Sequence, residues 1–196
     1  MKFYRVFAIL AVLVPFAIGP LQAAERYRID SAGAHFYAGF KVSHLGFHNM
    51  HGRFNKLTGE IVFDQQDIAA SSVKVVIDTT SVDTNLAKRD AHLRSPDFFN
   101  TLEFPEMTFT STKAEKTGEK TGRVSGDLTL LGVTKQVVLD VVFNKAGPHP
   151  RKKGTLMVGF SATGKLKRSD FGMKYGIGAL SDEITLELEA EAILNK

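Results

Sequence analysis

Three histidines crowd one short stretch of the chain, and their chemistry is the first to be judged. His44, His48 and His51 lie within eight positions, and imidazole can bind a metal or carry a proton. A tight metal site needs a defined ligand set, but no acidic residue or cysteine lies between these histidines. We therefore predict no metal centre. We expect His48 and His51 in a solvated loop, and His44 at the end of a strand, where it would meet the polar end of a ligand.

A second candidate cluster contains Arg89, Asp90 and His92, which the spacing places on one short helix. We expect Asp90 to pair with Arg94, four residues on, and the cluster to hold the helix in place through ion pairs and hydrogen bonds. Catalysis would need a nucleophile or a paired carboxylate, and the serines lack the Gly-x-Ser-x-Gly context. The glycine-rich loops that bind nucleotides are also missing from the sequence. We predict that the protein is not an enzyme and uses no cofactor.

The elements that must position these residues are mostly strands. From 35 to 46 every second residue faces one side, and that side is apolar up to its last member, His44. Closing such strands into an antiparallel barrel hides the apolar face and removes the edges, whereas a two-sheet sandwich is the alternative. Gly59, Gly126 and Gly164 fall on the inward side, which fits sharp coiling or room for a guest. The pattern predicts an all-β fold with eight strands, near 35–46, 51–64, 72–80, 104–112, 124–130, 137–143, 156–166 and 184–192.

Two departures from strand alternation are visible. The inward parity changes between Phe54 and Leu57, which predicts a β-bulge near residues 55–56. From 85 to 94 the apolar spacing becomes helical, so we predict one short helix there, capped by Thr84 or Asn85.

The N-terminus has the features of a secretory signal peptide. Lys2 and Arg5 precede an apolar run, and small residues follow at 23–24. We predict a signal peptide over 1–23 with cleavage near 23/24, followed by one domain over 24–196. The chain has no cysteine, and a cysteine-free exported domain fits a bacterial periplasm.

The charge of the chain is weak. The formal net charge is +4, which is too small to predict nucleic-acid binding. Two basic groups, at 151–153 and at Lys165, Lys167 and Arg168, are interpreted as solvated surface charge, with contact to anionic lipid headgroups as the functional alternative.

Phenylalanine is the remaining compositional signal, with fifteen phenylalanines and no tryptophan. They could pack a dry core, in which case the protein would act through its surface on a partner. They could instead line a cavity that binds a long apolar chain. The apolar residues predicted to line the interior are Phe36, Phe40, Val42, Phe54, Phe63, Ile77, Phe109, Leu128, Leu139, Phe160 and Leu186.

Several longer segments of the sequence resemble the YceI-like family of exported bacterial proteins. They are FKVSHLG at 40–46, GRF at 52–54, TSVDTN at 80–85, RDAHLRSPDFF at 89–99, FPEMTFTS at 104–111 and GDLTLLGVTK at 126–135. The resemblance follows the order of the family and covers essentially the whole mature chain.

The resemblance implies a lipocalin-like barrel whose bore holds a long amphiphilic lipid, a polyisoprenoid in some members and a fatty-acid amide in others. It also implies binding, transport or storage of that lipid, exchange with a membrane or another lipid donor or acceptor, and a link to stress response or isoprenoid-quinone metabolism. We expect His44, with Arg89, Asp90 or His92, to contact the polar end of the lipid. A homodimer contact through the last strand or the basic loops stays open.

Overall fold

The alternating apolar residues form strands throughout the computed structural model, which describes residues 24–195. Three single-turn 3-10 helices, Ile68–Ala70, Thr79–Ser81 and Arg168–Phe171, join some of these elements. The elements are β1 (Glu25–Ile29), β2 (Phe36–His44), β3 (His48–Phe54), β4 (Leu57–Phe63), β5 (Ser72–Asp78), β6 (Val82–Asp83), α1 (Ala87–Leu93), β7 (Glu106–Lys116), β8 (Thr121–Leu130), β9 (Val133–Pro148), β10 (Leu156–Lys167) and β11 (Leu180–Leu194).

The strands pair antiparallel in one sheet that closes on itself. The order is β1-β4-β5-β7-β8-β9-β10-β11, and β11 pairs back with β1. β2 continues along the same edge of β11 as β1, β3 lies beside β2, and β6 lies beside β3. Three of the eight positions in the ring are thus made of two strand segments each. The prediction of an all-β, eight-stranded antiparallel barrel with one short helix is confirmed, and the fold is lipocalin-like.

The strand predicted over 51–64 is broken rather than bulged. It is divided into β3 and β4 at Asn55 and Lys56, which leave the ladder. Both backbone N–H groups turn to Ser81, one to its carbonyl at 3.1 Å and one to its hydroxyl at 3.0 Å. The change of parity therefore marked the right place, but the irregularity is larger than a bulge because a side chain from a neighbouring segment replaces the ladder partner.

Two hairpins turn through the same pair of residue types. Leu45-Gly46 lies at the tip of the connection 45–47 between β2 and β3, Leu131-Gly132 joins β8 to β9, and all four residues have positive φ, between 51° and 72°. Two successive residues with positive φ make a type I′ turn, whose twist matches that of the flanking strands. Glycine adopts this conformation freely, whereas leucine adopts it at a steric cost.

The two ends of the barrel differ in what covers them. We call one the helix end, which carries α1 with its flanking residues 84–86 and 94–105, the β2–β3 turn and the segment 168–180 between β10 and β11. The opposite end, which we call the hairpin end, carries the connections 64–71, 117–120 and 149–155. Within residues 24–195, no helix has the length and apolar character needed to cross a membrane. The predicted signal peptide lies outside the described residues.

Candidate functional site

The bore of the barrel is hollow. A cavity of about 1110 Å³ runs through it and is walled by inward side chains from every strand position of the ring. This volume is slightly larger than the range of about 300–1000 Å³ that is typical of small-molecule sites. Inward-facing Phe36, Phe40, Phe109 and Phe160 are only partly buried, because they border open space rather than packed neighbours. The open bore argues against the interpretation of the phenylalanines as a dry core.

All eleven apolar residues predicted to line the interior face this cavity. Their role in binding a ligand stays a prediction. Sequence reasoning placed the phenylalanines correctly because strand alternation decides which face each one occupies. It did not find the cavity-lining residues of the irregular segments, which have no period to indicate their direction: Phe98, Phe99, Met173, Tyr175, Gly176 and Ala179.

The aromatic rings gather in two clusters along the bore. Towards the hairpin end, Phe63 lies 5.2 Å from both Phe143 and Phe160, measured between ring centroids. Towards the helix end, Phe54 lies 5.8 Å from Phe40 and 5.3 Å from Phe99. Phe63 meets Phe160, and Phe54 meets Phe99, edge to face, whereas Phe63–Phe143 and Phe40–Phe54 are tilted; rings at these separations attract one another. The clusters stiffen the wall while leaving aromatic surface turned to the cavity.

Glycines on the inner face are covered by neighbouring side chains. A Cβ built on Gly126 would lie 2.5 Å from the ring of Phe109, and one on Gly52 would lie 2.3 Å from the ring of Phe40. The glycines therefore let aromatic rings lie flat across the next strand. Gly126 does not leave room for a guest, and enlarging it would displace Phe109.

Polar side chains border the cavity at the helix end. His44, Arg89 and His92 all line it, and their contact with the polar end of a ligand stays a prediction. Arg89 donates through Nε to the hydroxyl of Thr84 and through Nη2 to its carbonyl, both at 2.7 Å. His92 lies 2.8 Å from the carboxylate of Asp97. These contacts hold the cation and the imidazole at the boundary between bore and solvent.

Asp90 does not face the cavity, and its predicted partner is wrong. It is only 7% exposed, and it accepts hydrogen bonds from the N–H and the hydroxyl of Thr84. Arg94 instead donates to the carbonyls of Thr80, at 2.8 Å, and Val82, at 3.1 Å. The reason is local: the chain enters α1 beside Asp90, so Thr84 competes successfully for that carboxylate.

The predicted cap of α1 is also wrong. The residue at the N-cap is Leu86, which makes no side-chain capping bond. Asp90, inside the first turn, takes over by tying down the segment that leads into the helix. Two hydrogen bonds from one residue to a charged group are stronger than a single neutral cap.

His48 and His51 lie in β3 rather than in a loop. Both are exposed to solvent, and the ring of His48 lies 5.9 Å from that of His44. His51 lies 3.7 Å from the carboxylate of Glu187 on β11. Among residues 24–195, no group of three or more His, Cys, Asp and Glu side chains is placed to hold a metal ion.

Arg168 is the residue that sequence reasoning misjudged most. It is 2% exposed, whereas Lys165 and Lys167 in the same basic group are exposed as expected. Its guanidinium borders the cavity and donates to four main-chain carbonyls, those of Met173, Tyr175, Leu180 and Ser181, at 2.8–3.4 Å. The following irregular run holds three glycines at 172–178, and a segment with few ladder bonds of its own needs such a donor.

A carboxylate supports Arg168 from the next strand. Asp182 accepts hydrogen bonds from the hydroxyl of Ser169, at 2.7 Å, and from its N–H, at 2.9 Å. These bonds, with the nearby Arg168 guanidinium, hold the pKa of Asp182 below its usual range. Burial lowers the pKa of Arg168, and the charge of Asp182 opposes that change.

The hairpin end is bordered by charged side chains instead. Glu119, Lys120 and Arg123 reach the cavity from the β7–β8 hairpin and are exposed. Near this end, in β1, Tyr27 is packed in the core with 3% exposure, and its hydroxyl donates to Glu25. Burial, together with this carboxylate, raises the pKa of Tyr27 above its usual range. The two mouths of the bore thus differ in chemistry.

The sequence of this chain matches a known protein family. Residues 27–192 match the family model of the YceI-like domain. Protein YceI of Escherichia coli O157:H7 is 43% identical over 181 residues, which are 92% of this chain and 93% of the relative.

Solved structures with the same fold include a member of this family. A crystal structure of a Campylobacter jejuni YceI protein superposes with a TM-score of 0.71 at 37% identity, over 79% of this chain and 90% of that one. A Saccharophagus degradans domain described as polyisoprenoid binding superposes with a TM-score of 0.66 at 19% identity, over 86% of this chain and 98% of that domain. The second likeness concerns the fold alone.

Proposed function

Because the chain belongs to the YceI-like family, we propose that it is a binding protein without catalytic activity, whose bore holds the hydrocarbon chain of a long amphiphilic lipid. The lipid class is a polyisoprenoid, an isoprenoid quinone or a fatty-acid amide. The observation that carries the proposal is the hollow bore walled by phenylalanine and aliphatic side chains. The polyisoprenoid-binding description of the Saccharophagus degradans domain, which has the same fold, supports it.

The energetics favour a long chain over a short one. Burying a methylene group contributes about 0.8 kcal/mol, so roughly ten methylenes contribute about 8 kcal/mol. Association costs about 4–15 kcal/mol before any net affinity results. The gain from about ten methylenes lies within the range of that cost, whereas the gain from about twenty methylenes exceeds it. The cavity has the volume for such a chain.

The polar end of the lipid lies at the helix end in this proposal. His44, Arg89 and His92 supply hydrogen-bond donors there, next to the aromatic cluster of Phe40, Phe54 and Phe99. Asp90 acts through Thr84 and the helix instead of touching the ligand. No step of the proposal requires a reaction or a cofactor.

We place the protein in the periplasm, after removal of the predicted signal peptide over 1–23. There it would take up its lipid from one membrane or protein and release it to another. A barrel that buries an apolar chain favours the bound state, so release needs an acceptor of similar apolarity.

The matched pair Ala162→Phe and Thr163→Phe tests the binding site. Ala162 lines the bore from β10, beside Val141 and Leu188, whereas Thr163 is its exposed neighbour. We expect Ala162→Phe to weaken binding of a fluorescent polyprenyl or long-acyl probe to the delipidated protein at least tenfold, because it fills the bore. Thr163→Phe should bind the probe like the unmodified chain.

Thermal unfolding of both variants accompanies the titration. Equal probe affinity in folded Ala162→Phe and Thr163→Phe would contradict the proposal, and so would an unmodified protein that takes up neither type of probe.

A further inference from the structure

Exposed apolar side chains are concentrated at one end of the barrel. Among residues 24–195, nine large apolar side chains are exposed, and six of them belong to the helix end. Phe47 is 89% exposed and Leu102 is 98% exposed. The other three, Val138, Val142 and Leu156, are scattered elsewhere. We call the six at the helix end the apolar tips: Leu45, Phe47, Leu86, Leu102, Tyr175 and Ile177.

The segments that carry the tips are joined to one another. The N–H of Leu45 in the β2–β3 turn donates to the carbonyl of Ala179 at 2.7 Å, which ties that turn to the β10–β11 segment. On the other side of the same segment, Tyr175 packs on His92 of α1 with ring centroids 5.1 Å apart. Tyr175 also lines the cavity. The β2–β3 turn, α1 and the β10–β11 segment therefore meet beside the place where the bore reaches the surface at Tyr175.

Between them, the segments that carry five of the six tips have lysine and arginine but no acidic residue beside the tips, although Asp83, Asp90 and Asp170 lie close by in sequence. Segment 84–89 contains Lys88 and Arg89, segment 172–180 contains Lys174, and segment 44–49 contains no Asp, Glu, Lys or Arg. The fourth segment carries Glu103, which accepts a hydrogen bond from Asn100. Exposed apolar side chains gathered at one end of the barrel, with Lys88 and Lys174 nearby in sequence, fit the interface of a membrane that contains anionic lipids. The hairpin end is also charged, but its connections carry both signs, with Arg151, Lys152 and Lys153 in one loop and Asp64, Asp67 and Glu119 in the other two; Leu156 at its margin is its exposed large apolar side chain among the described residues.

Leu45 gives an independent indication. It has a φ of 51° in a tight turn that is closed by the N–H of Phe47 on the carbonyl of His44, and asparagine followed by glycine is the favoured pair for two central residues with positive φ. Its side chain is more than half exposed. Leucine is unfavourable at this positive φ, and its side chain is not buried within the chain. Contact with an external apolar surface would bury that side chain.

We propose that the helix end docks on the surface of an anionic lipid bilayer, with the apolar tips inserted and Lys88 and Lys174 near the phosphates. This proposal rests on the proposed function, because docking there would set the mouth of the bore against the membrane that supplies or receives the lipid. The transfer path then stays closed to water.

Vesicle flotation tests the docking. The probes are vesicles of phosphatidylethanolamine with phosphatidylglycerol, compared with vesicles of phosphatidylcholine alone. We expect the unmodified protein to bind the anionic vesicles, and the double variant F47S/I177S to partition at least tenfold less, since each exposed side chain loses its buried area. The matched control V142S/L156S, which removes exposed apolar side chains from other places, should bind like the unmodified protein.

Leu45→Asn separates docking from folding. It should leave the thermal unfolding midpoint unchanged or raised, because asparagine suits the turn, and it should lower vesicle binding. Mass spectrometry of lipid extracts is run on every variant, and we expect retained lipid in all of them. Loss of lipid with intact vesicle binding would count against the cavity, whereas loss of vesicle binding with retained lipid supports the docking face.

Three results would overturn the docking proposal. The first is that the unmodified protein does not float with either kind of vesicle. The second is that F47S/I177S floats as well as V142S/L156S. The third is that the unmodified protein forms dimers that F47S/I177S abolishes while its vesicle binding persists, which would assign the tips to a second copy of the chain.

Discussion

Single side chains decide how the helix end keeps its shape. Arg168 and Asp182 together form hydrogen bonds with main-chain groups of the irregular segment between β10 and β11 and of its flanks. This segment supplies Met173 and Tyr175 to the cavity wall. Since an unsatisfied buried carbonyl costs about 1–3 kcal/mol, a segment without this arginine would have to unfold or admit water. The residue is structural in position, but the mouth of the bore depends on it.

The charge of Asp182 makes this support dependent on pH. Its pKa is lower in the folded protein than in the unfolded chain, so the stability that it contributes is present above the unfolded pKa, about 4. That contribution is lost as the pH falls through the folded pKa. We expect Asp182→Asn to unfold more readily than the unmodified chain at neutral pH, and to lose less further stability on acidification.

Urea unfolding at neutral pH and at about pH 3 measures this difference. Asp30 and Asp83 also have lowered pKa values, so some acid sensitivity remains in the variant. Asp170→Asn, at an exposed neighbouring position, is the matched control. An Asp182→Asn protein with the full acid sensitivity of the unmodified chain would show that this carboxylate does not titrate as described.

At the scale of elements, α1 depends on its surroundings. It has seven residues, too few for a helix that is stable alone in water. It stays in place because Asp90 fixes Thr84 and because Arg94 reaches the carbonyls of Thr80 and Val82. The helix in turn holds Arg89 and His92 at the cavity.

Asp90→Ala should loosen α1 while the barrel stays folded. The variant leaves the N–H of Thr84 without its acceptor, which costs about 1–3 kcal/mol. We expect faster hydrogen exchange at the amides of 87–94 and unchanged exchange in the middle of β11. Lys88→Ala, an exposed change on the same helix, should alter neither region. Uniform acceleration across the barrel in Asp90→Ala would contradict the local role of this residue.

Regular elements were predictable from the sequence and their interruptions were not. Strand alternation located all eight positions of the ring, because one buried face imposes a period of two. The short strand β1 was missed because only Tyr27 and Ile29 mark its inner face before the turn at 30–35 breaks the pattern. Irregular segments such as 168–180 have no period, so neither the burial of Arg168 nor the partner of Asp90 could be read from spacing.

At the scale of the molecule, closure creates both the core and the cavity. Eight strands make a ring just wide enough either to be filled by side chains or to hold one ligand, and the sequence pattern is the same in both cases. The difference lies in side-chain directions: Phe109 lies across Gly126 and Phe40 across Gly52, which draws the rings to the wall and leaves the axis open. The chain belongs to the YceI-like domain family, and the open bore is the feature on which the proposal of lipid binding rests.

Native mass spectrometry of the protein purified from its producing cells tests the central claim most directly. The account predicts a population carrying the mass of one long-chain amphiphile, which disappears after extraction with organic solvent and returns on incubation with a polyprenyl or long-acyl lipid. A bare polypeptide mass before extraction, unchanged by incubation with either lipid, would contradict it.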